Sequence, residues 1–386
     1  MKKTKQIVVW SAVLTFLVLG SILLSAKEQA GSFLIKGAKI YTLGPHGALE
    51  KASLLVEGGK IRQVIEGQEL PQLPTVDLTG KCLIPGLVDG HSYLSAYYGL
   101  LENTRPVTSD LLAYAAFDPS TQEVAEALAS GITTVHLCPR NENLIGGISS
   151  IFKVSSSLEG LLFLKKEGFL KISLAKEMER TDRPPTSLMG AEQMLNEWME
   201  KVGREGPREE IFKEGGVAKM TSDQIRPLIA ASGYEEINTA LHWFSAWKKH
   251  GVIVGGEEAY RFVDELKKMD IGVLLSPLLF SFPDKAAENA AQLLRQGLKV
   301  AFVSDMPEGE AWMLRTSALL LYHQGISQEE ALKTISLYPA EVLGVGSRVG
   351  SIEEGKDADF VVLSGEPLDL RSKILAVYSE GRQVFQ

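Results

Sequence analysis

The amino-acid sequence predicts an α/β protein with three regions: a (β/α)8 TIM barrel, a small β-sandwich-like domain formed by both chain ends, and an N-terminal transmembrane or signal helix. Three observations predict this organisation. Residues 1–27 combine lysines with a long apolar run, residues 32–82 and 346–386 share a pattern of short strands and tight turns, and residues 83–345 alternate apolar strands with helices.

The N-terminal region begins with a lysine-rich stretch, and an apolar run from Ile7 to Leu24 follows it. The run holds about 18 residues, which exceeds the usual signal-peptide core of roughly 7–15 and approaches the roughly 20 needed to span a bilayer. Ser25-Ala26 is a poor cleavage site because Leu24, two residues before Ala26, is not small. The pattern favours a signal anchor, with a cleaved signal peptide as the alternative. Because the basic end stays in the cytoplasm, both predict an extracytoplasmic protein, membrane-anchored or exported.

The composition is that of a globular protein with an acidic balance. Apolar residues make up 45% and charged residues 23%, the formal net charge is −8, and the isoelectric point is near 5.5. These values give no basic surface for nucleic acid, so no such partner is expected. The two cysteines, Cys82 and Cys138, are predicted to lie a strand length apart in the barrel, beyond disulfide reach. We therefore expect two free thiols.

Both chain ends carry hairpin signals. Residues 52–65 are typical of two strands around the tight turn Glu57–Lys60, and the C-terminal region has a similar turn at Gly355–Asp359 followed by the apolar strand Phe360–Leu363. The two ends share this pattern of short strands and tight turns, and the region between them has a different pattern. We therefore expect the ends to assemble into one composite domain.

The middle region alternates apolar strands with helical stretches, which is typical of a parallel sheet, and its length of about 260 residues matches a TIM barrel. The helix over 121–130 ends at Gly131, and the helix over 327–335 begins with the capping pair Ser327 and Glu330. The predicted strands are Leu83–His91, Thr133–Leu137, Phe169–Leu174, Pro227–Ala231, Val252–Val254, Ile271–Leu275 and Lys299–Ser304.

Three motifs stand in order along the chain: LIPGLVDGH at 83–91, GITTV at 131–135 with NLIGG at 143–147, and YPAEVLG at 338–344 with GSIEEGKDADFVVL at 350–363. Together they resemble the amidohydrolase superfamily, especially its imidazolonepropionase-like branch. The resemblance covers nearly all of residues 32–386. It implies the barrel, the composite domain, and a metal-dependent hydrolase site at the barrel mouth.

In that superfamily, one or two divalent ions polarise a carbonyl and lower the pKa of a bound water. The resemblance implies ligands from a His-x-His pair, a Lys or Glu, two further histidines, and an aspartate that also takes the proton from the attacking water. Carried onto this sequence, the first histidine is His91 and the catalytic aspartate is Asp305. Both stand at the ends of predicted strands.

The other ligand positions depart from the superfamily's pattern. The second histidine of the pair is replaced by Tyr93, and the later histidine positions correspond to Ala230, Ser232 and Gly255. Lys176 is the candidate for the Lys or Glu position. We expect these five residues to line a pocket that small side chains have enlarged.

The expected metal site is therefore reduced to His91 and Asp305. His136, near the end of a predicted strand, is a further candidate ligand, although a packed or hydrogen-bonded role suits it better. Catalytic zinc usually takes three protein ligands, so the sequence predicts either no metal or one weakly held divalent ion such as zinc. Burial of an unpaired carboxylate is costly, so we expect Asp305 to contact a protein donor such as His91 in one shared pocket.

Three functions follow as hypotheses. The first is a catalytically impaired relative that binds a small molecule or a protein partner at the barrel mouth. The alternative is a metal-dependent hydrolase of non-peptide C–N bonds, of the cyclic amide type, that uses a reduced mononuclear site with Asp305 as base. The third is a barrel that only holds an extracytoplasmic complex together.

Overall fold

The computed structural model describes residues 31–67, 71–155, 160–205, 215–278 and 283–386, and within these ranges the chain forms 18 strands and nine α-helices. The strands are β1 Phe33–Tyr41, β2 Ala48–Glu57, β3 Lys60–Glu66, β4 Thr75–Asp77, β5 Cys82–Pro85, β6 Leu87–Ser92, β7 Ile132–Leu137, β8 Ile145–Ile148, β9 Ser150–Lys153, β10 Phe163–Lys165, β11 Phe169–Ser173, β12 Arg226–Ala231, β13 Val252–Gly255, β14 Gly272–Leu275, β15 Val300–Phe302, β16 Phe360–Leu363, β17 Ile374–Ser379 and β18 Arg382–Phe385. The helices are α1 Gln122–Ala129, α2 Leu188–Glu205, α3 Gly216–Thr221, α4 Tyr234–Trp247, α5 Val263–Lys268, α6 Pro283–Arg295, α7 Met313–His323, α8 Gln328–Lys333 and α9 Leu337–Val342.

The predicted N-terminal helix, residues 1–27, lies outside the described residues, and so the anchor stays a prediction. In the ranges given above, every helix is too short or too polar to cross a bilayer.

Strands from both chain ends share one sheet. Its order is β18-β17-β16-β5-β1-β2-β3, and β4 pairs with β1. The two ends meet at β5, which lies parallel to β1 and antiparallel to β16. The described strands of the two chain ends form a single eight-stranded sheet, and the sandwich-like shape expected for this domain stays a prediction. Residues 82–85 also belong here, so the first barrel strand starts at Leu87 rather than Leu83.

Cys82 therefore lies in the sheet of the small domain, while Cys138 follows barrel strand β7. Both cysteines are buried and free, which confirms the expectation of two free thiols.

The barrel contains all seven predicted strands, and each end lies within four residues of its predicted position. Parallel pairing joins β6 to β7 and runs unbroken from β11 to β15. The ring closes near its mouth, where Tyr93 N donates to Met306 O at 2.8 Å.

One position of the barrel is antiparallel, and the expectation of a fully parallel sheet was wrong there. β9 runs antiparallel to β7, and β8 runs antiparallel to β11, with Ser149 between β8 and β9. The connection from β7 to β8 spans only residues 138–144. A parallel crossover needs roughly a dozen residues or more, so this loop can only return the chain in the opposite direction.

The two helices predicted from capping signals are present as α1 and α8. Ser327 caps α8 by accepting from Glu330 N at 3.2 Å.

Around the ring, the carboxyl ends of the parallel strands meet at one mouth. There β6 delivers His91, β12 leads into Ser232, β13 ends at Gly255, and the segment after β15 delivers Asp305.

Candidate functional site at the barrel mouth

A cavity of about 370 Å³ opens at the barrel mouth. His91 and Asp305 both line it, together with the five residues expected from sequence: Tyr93, Lys176, Ala230, Ser232 and Gly255. The structure thus brings the first histidine and the catalytic aspartate of the predicted site into one pocket. His136 is absent from the residues that line this cavity.

A hydrogen-bonded chain of three side chains forms the floor of the cavity. His91 Nδ1 lies 2.8 Å from Asp305 Oδ1, and His91 Nε2 lies 2.7 Å from Lys171 Nζ. His91 and Lys171 are fully buried, whereas the Asp305 side chain keeps 23% of its exposure. Asp305 therefore contacts a protein donor, as the charge argument predicted.

The surroundings of these three side chains set their protonation states. Burial lowers the pKa of His91 well below its usual value, and the charge of Lys171 lowers it further. Burial also lowers the pKa of Lys171, and it raises that of Asp305 to about 7 against the opposing effect of Lys171. His91 is thus a neutral imidazole. We assign the tautomer in which Nδ1–H donates to Asp305 and Nε2 accepts from Lys171.

Asp305 is held by its backbone and by a buried neighbour. Its φ of +51° is a left-handed conformation uncommon for a residue other than glycine. The preceding residue, Ser304, donates from its backbone N to Asp89 Oδ1 at 2.9 Å and from its hydroxyl to Asp89 Oδ2. Burial raises the pKa of Asp89 to about 7, although the Ser304 bonds oppose this. Asp89 thereby fixes the turn that presents Asp305 to His91.

His136 is already satisfied inside the barrel. Its Nδ1 lies 2.7 Å from Gly90 O and its Nε2 lies 2.6 Å from Ser149 Oγ. Burial lowers its pKa to about 3. With both nitrogens engaged, His136 has no lone pair to offer a metal, and the packed role is the one observed.

Lys171, and not Lys176, is the lysine that contacts His91 inside the barrel. Lys176 is 81% exposed at the rim, and its ammonium contacts Glu179. Sequence reasoning missed Lys171 because it searched the strand end, where the superfamily's ligands lie. A signal was present in the sequence: Lys171 stands inside the predicted apolar strand Phe169–Leu174, and the structure buries every residue of Phe169–Ser173. A lysine inside such a strand needs a specific partner.

Gly255, which the resemblance predicts to stand at a histidine position of the superfamily, has a backbone that excludes a side chain. Its φ is +101°, and a Cβ added there would overlap Ser232 Oγ and lie 3.2 Å from Ala231 O. The loop is therefore shaped around glycine at this position.

The donor set does not fit the metal site that the resemblance implies. Among the described residues, no group of three or more His, Cys, Asp or Glu side chains is arranged to hold a metal ion. His91 uses both ring nitrogens on protein partners, so that of the two expected ligands only Asp305 stays available. Catalytic zinc usually needs three protein ligands.

The comparisons with known proteins agree with one another. A family model described as the amidohydrolase family matches residues 186–385. An imidazolonepropionase from Geobacillus kaustophilus (strain HTA426) is 23% identical over 367 residues, covering 82% of this chain and 85% of that protein. The structure of an amidohydrolase from Thermotoga maritima MSB8 is similar with a TM-score of 0.83 and 30% identity, covering 92% of this chain and 100% of that one. A β-aspartyl dipeptidase from Fervidobacterium islandicum AW-1, 18% identical with a TM-score of 0.58 over 92% of this chain and 98% of that one, shares the fold.

Proposed function

The chain belongs to the amidohydrolase family, and we propose that it is a member whose barrel mouth binds a small molecule without metal-assisted hydrolysis. The observation that carries this proposal is the engagement of both His91 nitrogens by Asp305 and Lys171. In a metal-holding relative, one of these nitrogens would present its lone pair to the ion.

Lys171 supplies an internal cation where the family's chemistry uses a metal. Its ammonium donates to His91 Nε2, and its charge opposes the rise in the pKa of Asp305 that burial causes. A divalent ion would have to displace this buried lysine to reach His91. It would gain no imidazole in return from Ala230, Ser232 or Gly255. A cavity of about 370 Å³ lies at the mouth, which supports ligand binding as its function.

Metal-free hydrolysis of a non-peptide C–N bond is the second candidate, and the position of Asp305 favours it. With a pKa near 7 and partial exposure to the cavity, Asp305 is partly ionised at neutral pH. It can take a proton from a water whose oxygen attacks a cyclic amide carbonyl, and return that proton to the nitrogen as the C–N bond breaks. Without a metal this water keeps a pKa near that of bulk water, so the reaction would be slow.

Elemental analysis after exposure to zinc or manganese tests the first proposal. We expect the wild-type protein to retain far less than one ion per chain after dialysis, and to hydrolyse cyclic amides no faster than Asp305→Asn. Lys171→Met is the matched variant, because it frees His91 Nε2 and should bind more zinc than wild type.

Two outcomes would change the assignment. Near-stoichiometric metal in the wild type, lost in Asp305→Asn together with C–N hydrolysis, would restore the metal-dependent hydrolase. Activity in metal-free protein that disappears in Asp305→Asn would favour the second candidate.

A further inference from the structure

A second cavity adjoins the one at the barrel mouth. Its volume is about 450 Å³, and it lies between the carboxyl ends of β13 and β14 and helix α6. Gly255, Glu257 and Ser276 line both cavities. Because two of these three residues are very small, little side-chain volume separates the two spaces.

The second cavity is mainly apolar. Leu275, Leu278, Ala290 and Leu293 line it, and all four are buried. A ligand placing an alkyl chain here would remove further apolar surface from water, which contributes about fourfold in affinity for each buried methylene.

The barrel-mouth cavity, in contrast, has an excess of carboxylates. Glu177, Glu236, Glu257 and Glu308 line it in addition to the floor aspartate. The ammonium of Lys176, which also lines it, pairs with a glutamate outside the cavity. In the described part of the chain, no ion pair engages Glu257, at the junction of the two cavities.

A buried acceptor points to a ligand that donates hydrogen bonds. Asn141 lines the barrel-mouth cavity and Asn289 lines the second cavity, and the Oδ1 of each is buried without a donor from any described residue. The excess of carboxylates lies around Asn141, in the barrel-mouth cavity. A buried carbonyl oxygen of this kind is costly unless a partner is bound. An ammonium group satisfies both needs, since it brings positive charge to the carboxylates and N–H donors to Asn141.

We infer that the site takes a primary amine with an apolar tail, the ammonium at the barrel mouth and the tail in the second cavity. This inference rests on the proposed ligand-binding function and names its ligand class. The small residue Gly255, which replaces a histidine of the family, is then the point where the ligand passes from one cavity to the other.

Isothermal titration calorimetry with n-octylamine, n-butylamine and n-octanoate at pH 7.5 tests the inference. We expect n-octylamine to bind at least tenfold more tightly than n-butylamine, because only the longer chain reaches the second cavity. We expect n-octanoate, of equal chain length and opposite charge, to bind at least tenfold more weakly than n-octylamine.

Two pairs of exposed variants locate the ligand. Glu257→Gln should weaken n-octylamine about two- to fivefold, the range of one exposed charge contact, whereas Glu235→Gln on α4, exposed and outside both cavity linings, should not. Ala286→Trp, which fills the second cavity, should remove the preference for the longer amine. Gln292→Trp, exposed on the same helix and outside the cavity lining, should keep it.

Octanoate binding equal to that of octylamine, and reduced by Ala286→Trp, would overturn the amine class while leaving a ligand-binding barrel mouth. Failure of all three probes to bind would also overturn the inference. The proposed function is judged separately, by metal content and hydrolysis.

Discussion

Two lysines are fully buried on strands β9 and β11, and their surroundings are opposite in kind. Lys153 on β9 lies 3.0 Å from Asp357 Oδ2 and also contacts Asp359, both carboxylates of the small domain. Lys171 on β11 donates instead to the neutral ring of His91. One lysine is neutralised directly by two carboxylates, whereas the other contacts an imidazole whose second nitrogen contacts Asp305.

The carboxylates around Lys153 form a closed ion network. Arg348 lies 2.9 Å from Asp357, and Lys60 contacts the same carboxylate. Burial alone would raise the pKa of Asp357, but Lys153 and its neighbouring cations bring it below its usual value. At the barrel mouth, burial has the largest effect. It lowers the pKa of Lys171 and raises that of Asp305, so both shifts favour the neutral form of the group. Full pairing at the domain boundary indicates a structural role, whereas incomplete pairing beside a cavity indicates a binding role.

The largest difference should appear when each lysine is replaced by methionine. Lys153→Met leaves Asp357 and Asp359 buried without their main cation, and we expect it to lower the free energy of unfolding by about 3–5 kcal/mol. Lys171→Met removes a donor from a neutral ring, and we expect a loss of about 1 kcal/mol. Urea unfolding of the two variants measures both values, and equal losses would contradict the comparison.

The second prediction is that the barrel mouth tolerates lost charge better than added volume. Gly255→Ala should cost about 1–3 kcal/mol, because φ is +101° and the new Cβ would overlap Ser232 Oγ. In the double variant Gly255→Ala with Ser232→Ala, the stability loss caused by the overlap should disappear, and the loss caused by the backbone conformation should persist. Gly190→Ala is the control, since its Cβ would meet nothing closer than 3.5 Å. Equal melting temperatures for Gly255→Ala and Gly190→Ala would show that the loop adapts to the added methyl group.

Sequence motifs predicted the frame of the molecule well, because apolar strands and their turns are local signals. These signals predicted the seven parallel strands and the contact between His91 and Asp305. The antiparallel β8–β9 segment was missed, although the short connection before it carried the information. Lys171 was missed for a different reason: its role depends on the pairing of β11 with neighbours distant in sequence, which places its ammonium on His91.

The smallest expected effect is that of Asp305→Asn, which replaces a partly buried carboxylate with a neutral group of the same shape. The amide oxygen can still accept from His91 Nδ1, so near pH 7.5 we expect a change in the free energy of unfolding below about 1 kcal/mol. A larger loss would show that the charge itself stabilises the mouth.

The pH dependence sharpens this last prediction. The pKa of Asp305 is about 7 in the folded state and about 3.9 in an unfolded chain. The folded state therefore binds more protons between these values, and the contribution of Asp305 to stability is complete below about pH 4 and is lost as pH rises through 7. Asp305→Asn should flatten the stability profile across this window. Because Asp89 titrates in the same direction, part of the slope should persist. Melting temperatures from pH 4 to 8, with and without zinc, provide the measurement. An unchanged slope would contradict the raised pKa, and a zinc-induced rise in the wild type that the variant lacks would return Asp305 to the role of a metal ligand.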